Sequence, residues 1–207
     1  VMKIAIVGAG PSGLFLAKLL RRQSERFEID VFEPNAADAT YGFGIGLLGS
    51  SLKFLKAADE ALYEDVLKIS SKGDTMMVAH KGEQVVIGVD ESVGIERIRL
   101  LNLLQDHCRP LGINMTFEHR IENMDTFKED YDLVVGADGV NSVVRNAYSD
   151  KFQSKVTPQK NKFAWYATEK VFDHMSLIFE QTEYGMMIAH AYAYRQDRGG
   201  FVVECDP

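Results

Sequence analysis

The feature that most constrains this chain is its opening stretch, Lys3 to Glu33, which specifies a strand, a glycine-rich turn, a helix and a second strand in close succession. Lys3 to Val7 is a short apolar, β-branched run, the pattern of a buried parallel strand. It leads directly into Gly8-Ala9-Gly10-Pro11-Ser12-Gly13, then into Leu14, Phe15, Leu16, Leu19 and Leu20 at helical spacing. Glu28 to Phe32 reads as the second strand, and Glu33 follows it, twenty residues beyond Gly13. A G-x-G-x-x-G turn in this context is a dinucleotide fingerprint. Gly8 allows the tight turn, Gly10 lets backbone approach a pyrophosphate, and Gly13 lets the helix pack close to the strand. The helix N-terminus offers N–H groups and the positive end of its dipole to phosphates. Glu33 can accept hydrogen bonds from a ribose, and its charge would repel a 2′-phosphate.

Length and charge narrow the field. At 207 residues the chain makes one large domain or two small ones. Its 46% hydrophobic and 26% charged content suits a packed globular protein. Lys and Arg number 23 against 30 Asp and Glu, a net charge of −7, which argues against nucleic-acid or anionic-membrane partners. A diphosphate site is still compatible, because the fingerprint binds through backbone N–H groups. Cys108 and Cys205 match no metal or redox spacing and sit in apolar contexts, so they read as reduced core thiols. With no secretory leader and no apolar run of membrane-spanning length, the expected location is cytoplasmic. Val1, ahead of Met2, is left out of the reading.

Further along, Asn35 to Tyr41 reads as a loop, and Gly42-Phe43-Gly44-Ile45-Gly46-Leu47 alternates glycine with bulky apolar residues. Glycine at every second position clears one face, which suits backbone lying against a flat ligand; a bulged strand or flexible loop fits as well. Ser50 to Ala57 and Asp59 to Leu67 read as helices capped by Ser50 and Asp59. Asp74 to Ala79 and Glu83 to Val89 are strand-like around the hairpin signal His80-Lys81-Gly82. Arg97 to Leu111 returns to a helix, ended by Gly112. Arg97 and Arg99 oppose the dipole in its first turn, so one of them is expected to meet an anion or a carbonyl group. Asn114 to Phe117 and the residues around Ile121 read as strands. An apolar strand then stops at Gly136, turns through Asp138-Gly139 and opens a helix carrying Arg145. Asp138 there can bond hydroxyl groups of a ligand, or simply brace the turn as an Asx cap.

From Lys162 the texture changes to alternating strands: Lys162 to Val171, Ser176 to Gln181, Gly185 to Tyr194 and Gly199 to Cys205. In the third, Ile188, His190, Tyr192 and Tyr194 face one way and Ala189, Ala191 and Ala193 the other. This is a second, mostly antiparallel sheet.

The three blocks together, fingerprint with Glu33, glycine-alternating segment and Gly136-Ala137-Asp138-Gly139 turn, resemble the group A flavoprotein monooxygenases, the aromatic hydroxylases of the p-hydroxybenzoate hydroxylase type. Tyr41-Gly42-Phe43-Gly44, Asn161-Lys162-Phe163 with Trp165-Tyr166, Ile188 to Tyr194 and Phe201 to Cys205 resemble one branch, that of the anthraniloyl-CoA and salicylyl-CoA hydroxylases and the violacein-pathway indole hydroxylase. The resemblance implies an α/β fold: a Rossmann-like FAD-binding domain (1–73 and 92–151) with an attached, mostly antiparallel substrate domain (74–91 and 152–207). It assigns FAD to Gly8, Ala9, Gly10, Pro11, Ser12, Gly13, Glu33, Phe43, Gly44, Arg97, Asp138 and Gly139. Trp165, His190 and Tyr192 are the substrate-side candidates.

The implied chemistry is reduction of FAD by NAD(P)H, addition of O2, and attack of a flavin C4a-hydroperoxide on an electron-rich aromatic ring. Such a site needs pocket walls and flavin clamps, with no protein nucleophile and no metal. The alternatives are a non-hydroxylating FAD oxidoreductase of the same superfamily, a dehydrogenase or halogenase, and an inactive FAD-binding fragment. Family members continue through a second flavin motif beyond the point reached by Pro207, so the expectation is an N-terminal fragment that binds FAD weakly or not at all by itself.

Overall fold

The computed structural model describes residues 1–206. The strands in chain order are β1 (Met2–Val7), β2 (Phe27–Phe32), β3 (Gly44–Leu47), β4 (Ser71–His80), β5 (Glu83–Glu96), β6 (Asn114–Thr116), β7 (Leu133–Gly136), β8 (Lys162–Thr168), β9 (Met175–Thr182), β10 (Gly185–Arg195) and β11 (Arg198–Cys205). The helices are α1 (Pro11–Gln23), α2 (Gly49–Ala58), α3 (Glu60–Lys68), α4 (Arg97–Cys108), α5 (Met124–Phe127), α6 (Val143–Ala147) and α7 (Ser149–Phe152). They form two compact units, one of Val1–Ala39 with Leu101–Thr157, the other of Thr40–Leu100 with the described residues from Pro158 onward. By this packing, residues 40–73 and 92–100 group with the second unit. No helix among the described residues is long and apolar enough to cross a membrane.

The first unit is built on a parallel sheet of order β6-β2-β1-β7. β1 is central and its Ile4, Ala5 and Ile6 are essentially inaccessible, which is why it reads as an unbroken apolar run. Leu14 and Ala17 of α1 are fully buried. Lys18 Nζ lies 2.7 Å from His107 Nδ1, and the Cys108 thiol donates to Leu14 O at 3.4 Å. A satellite core of Val7, Ile121, Met124 and Val144, packed by Phe32, Phe127, Val134 and Tyr148, fills the region beyond β1. Ile121 therefore departs from the expected strand. It is irregular chain, carried from edge strand β6 towards β7 on the far side of β1, and its side chain drops into the core on the way.

The second unit is a seven-stranded sheet of order β3-β5-β4-β9-β10-β11-β8. Every pairing is antiparallel except β4 with β9. The sheet curls so that β10 crosses β5: a Cβ placed on Gly94 would sit 1.8 Å from Ala193 O. The hairpin is longer than expected, with Lys81 and Gly82 both at positive φ, as a two-residue loop of the I′ kind requires. β8 is shorter than expected, stopping at Thr168. Asp59 caps α3 by accepting from Leu62 N at 3.1 Å, whereas α2 begins at Gly49 behind Leu48, so Ser50 lies inside the helix and caps nothing.

Burial separates the two cysteines: the Cys108 thiol is fully enclosed and pushed up to about 11, while Cys205 is half-buried on β11. A disulfide-exchange reagent at pH 8 should titrate one thiol in the native protein and the second only on unfolding. Equal rates for both would contradict the packing of α4 on α1.

Candidate functional site

Strand order reverses at β1, with β2 and β6 on one side and β7 on the other. In open α/β sheets the ligand crevice lies at the carboxyl ends of the strands flanking such a reversal. Both strong motifs lie there. Gly8 N donates to Phe32 O at 2.8 Å and Ala137 N to Val7 O at 2.7 Å, so the two strand-to-helix turns leave the sheet side by side. Gly8 has φ +111°, and a Cβ on it would stand 2.4 Å from Ala137 O. A Cβ on Gly13 would stand 2.0 Å from Gly8 O, which is the close helix–strand packing that the third fingerprint glycine serves.

Gly10 differs from both: nothing lies within 4 Å of its Cβ position. It caps α1 with no side chain on the helix end, Pro11 occupies the first turn, and that turn holds no acid. The positive end of α1 is thus open above a bare glycine, a fit for a pyrophosphate. At the tip of β2, Glu33 Oε2 accepts from Ala9 N at 3.1 Å, and Oε1 accepts from Asn35 N at 3.1 Å and Asn35 Nδ2 at 2.6 Å. These bonds orient the carboxylate and still leave lone pairs for a ribose hydroxyl. Ser12, exposed beside Gly13, completes the turn.

Asp138 has local partners. Its Oδ1 accepts from Ser142 Oγ at 2.5 Å, and its Oδ2 accepts from Val143 N at 2.6 Å. The residue braces the start of α6, with Gly139 at φ +77° in the turn between them. Arg145, also tied locally, donates to Val140 O at 2.7 Å.

In the second unit the glycine-alternating segment is in part the strand that its pattern also allowed. Gly44 to Leu47 is a paired strand, and its cleared face is filled by the protein's own rings. A Cβ on Gly42, at φ +79°, would stand 2.3 Å from the Trp165 ring, and one on Gly44 would stand 2.7 Å from Tyr194. The flat partner that demands glycine here is aromatic side chain. Phe43 packs edge-on against Trp165 at 6.2 Å between ring centres, and Tyr192 Oη donates to Gly44 O at 2.8 Å. Burial raises the Tyr192 phenol above its ordinary value, so it stays a donor throughout the neutral range. The Trp165 indole N–H is buried near Tyr192 without a hydrogen bond of normal geometry.

Arg97 N donates to Phe43 O at 2.9 Å, tying α4 to this segment, while its Nε is buried with no hydrogen-bond partner among the described residues. A buried guanidinium N–H of this kind calls for an acceptor. His190 stands apart from the aromatic group, with Nε2 3.3 Å from Glu204 Oε1 on the neighbouring strand. Phe43, Gly44, Arg97, Trp165 and Tyr192 therefore converge, and Tyr194 joins them. Only its place on the same strand face as Tyr192 signalled that in the sequence.

The fold and the switch-point turn define a dinucleotide-binding α/β protein. The family described as an NAD(P)-binding Rossmann-like domain matches residues 6–37. The chain is 36% identical over 205 residues to a salicyloyl-CoA 5-hydroxylase of a Streptomyces species, covering 99% of this chain and 40% of that protein. It is 34% identical over 212 residues to the protodeoxyviolaceinate monooxygenase of Chromobacterium violaceum, covering 99% of this chain and 55% of that one. Among solved structures, p-nitrophenol 4-monooxygenase PnpA of Pseudomonas putida shares the fold with a TM-score of 0.79 at 16% identity, covering 100% of this chain and 59% of that chain. PqsL of P. aeruginosa in complex with 2-aminobenzoylacetate gives 0.75 at 21%, covering 99% and 61%. Over almost its whole length the chain is similar to FAD-dependent aromatic monooxygenases. It spans about two fifths to just over half the length of the curated relatives it matches.

Because Trp165 is the sole tryptophan, its emission reports on this cluster. Gly42→Ala should shift that emission and destabilise the second unit by about 1–3 kcal/mol, the usual range for overpacking. Tyr192→Phe, which loses only the bond to Gly44 O, should cost about 1 kcal/mol by chemical denaturation.

Proposed function

We propose that this chain carries the FAD-binding and part of the substrate-binding apparatus of an NAD(P)H-using monooxygenase that hydroxylates an electron-rich aromatic compound. The observation that carries this reading is the open, unscreened end of α1 above Gly10, facing the turn through Ala137 and Asp138 at the sheet's switch point. In this reading segments 1–73 and 92–151 serve the cofactor, and 74–91 with 152–207 serve the substrate. Backbone N–H groups at Ser12 and Gly13 hold the pyrophosphate, and Glu33 holds the adenosine ribose. Asp138, fixed by Ser142 and Val143, presents the Gly139 turn to the flavin side. Arg97 Nε and Phe43 with Gly44 serve the flavin ring.

Bound FAD supplies the redox and O2-activating chemistry, drawing electrons from NAD(P)H. The protein's task is to hold the aromatic ring near it and keep water out. Trp165 and Tyr192 act chiefly by fixing the Phe43–Gly44 segment, with the Trp165 N–H free to meet an oxygen of the substrate. His190, on β10 with Tyr192 and tied to Glu204, is the third substrate-side residue. Similarity to the salicyloyl-CoA and protodeoxyviolaceinate enzymes directs the substrate search to aryl-CoA thioesters and indoles. The cytoplasm, where NAD(P)H is available, is the proposed location.

Titration with FAD, followed by absorbance and flavin fluorescence, tests the cofactor assignment. Gly10→Val meets nothing in the folded chain, so its stability should stay within about 0.5 kcal/mol of the parent. Its FAD affinity should fall at least about tenfold, the equivalent of 1.4 kcal/mol. Unchanged FAD binding by Gly10→Val would remove the phosphate from α1. NAD(P)H oxidation by the intact protein, with anthraniloyl-CoA, salicylyl-CoA and indoles in turn, tests the reaction.

A further inference from the structure

His190 and Glu204 meet on the sheet face that carries Trp165. Residues directly opposite one another in an antiparallel ladder share a face. His190 lies opposite Leu177 on β9 and Val202 on β11, and Val202 lies opposite Trp165 on β8, so these four make one row across the face. In the next row Glu204 stands between Ile188 and Phe163. On the other side the Tyr192 ring leans over Gly200, where a Cβ would come 2.9 Å from the Tyr192 Cζ. The pair is thus set into an apolar and aromatic floor, with both side chains 40% exposed. An imidazole and a carboxylate placed there give up part of their hydration, a loss that only polar partners offset.

The imidazole is only half engaged. Its Nε2 lies 3.3 Å from Glu204 Oε1, and a carboxylate at that distance holds the proton of the neutral ring on Nε2. Nδ1 then carries a lone pair. The Nδ1 atoms of His107 and His174 lie 2.7 Å from Lys18 Nζ and 2.8 Å from Thr75 Oγ1, whereas among the described residues no donor reaches Nδ1 of His190. Two strand spacings, roughly 10 Å, separate β10 from β8, the span of one flat ring lying over Val202 between His190 and Trp165. On the monooxygenase reading above, we propose that His190 Nδ1 accepts a hydrogen bond from an N–H or O–H group carried by the substrate ring. Glu204 is then a positioning residue, fixing the tautomer that can accept. This selection suits the reaction. Amino, hydroxyl and ring N–H groups are those that make an aromatic ring electron-rich, and donating to an acceptor enriches the ring further. A ring with no such group would leave Nδ1 unpaired above an apolar floor.

Isothermal titration calorimetry of the intact protein tests this, with indole and anthraniloyl-CoA each measured beside its fully N-methylated analogue. The parent should bind the N–H compound about tenfold more tightly, the usual effect of leaving one polar partner unsatisfied. His190→Phe should bring that ratio close to one. His190→Gln, which keeps an acceptor oxygen, should retain part of it. A ratio that His190→Phe leaves unchanged would overturn the proposal, because methyl bulk rather than the lost N–H would then set it. Parent binding that ignores methylation would overturn it too, while leaving the monooxygenase reading in place. Failure of both N–H compounds to bind would remove the substrate from this sheet face, and the reading and the proposal would fall together. The part given to Glu204 has its own readout in the imidazole 15N resonances of His190, assigned through His190→Gln. The neutral ring should be a single Nε2–H tautomer in the parent and a mixture in Glu204→Leu. A mixture already present in the parent would take Glu204 out of that role.

Discussion

The first unit depends on the close approach of two turns, with the carbonyl of Ala137 lying against the α-carbon of Gly8. That approach sets β7 beside β1, and the pairing of β1 with β2 and β7 in turn places the fingerprint and the Asp138 turn at one end of the sheet. A side chain at Gly8 would force the turns apart, and one at Gly13 would lift α1 off its strand. The apolar core of Ile4, Ile6, Leu14 and Val31 supplies the driving force. It cannot select this geometry unaided, because apolar contact is non-directional. The missing side chains do the selecting.

An analogous device holds the second unit, with a different occupant. Gly42 and Gly44 are bare because Trp165 and Tyr194 fill the space in front of them, and Gly94 is bare because β10 crosses its strand. The hydrogen bond from Tyr192 to Gly44 O and the one from Arg97 N to Phe43 O fix the segment from two sides. This alters the meaning of the aromatic residues. Trp165 and Tyr192 form a shelf that shapes backbone. Any contact they make with a ligand is additional to that task.

Much of the cofactor side was legible in the sequence because its determinants are local. The fingerprint glycines, the following helix and Glu33 lie within one short stretch, and each has a requirement readable from neighbours alone. The same holds for the Lys81-Gly82 hairpin loop and the Asp59 cap, where turn geometry and residue type are tied directly. Ile121 was misread as strand because an apolar residue in an irregular crossing looks the same as one in a short edge strand. Ser50 was misread as a cap because the helix starts one residue earlier. The length of β5 was underestimated because Asp90, Glu91 and Gly94 are poor strand formers individually, and pairing with β4 and β3 overrides them.

By itself, then, the sequence determined the dinucleotide turn, the order of strands and helices around it, and the change to a second sheet after Lys162. Tertiary structure alone decided that the two strand-to-helix turns meet, that Asp138 spends its carboxylate on α6, and that the glycine-alternating segment lies on aromatic rings. It alone set Glu204 against the His190 imidazole. The physical reason is range. Turn preference and hydrophobic period act between near neighbours, whereas the packing of Trp165 under Gly42 joins positions far apart in the chain, and no local pattern encodes which ring will fill a space that glycine leaves.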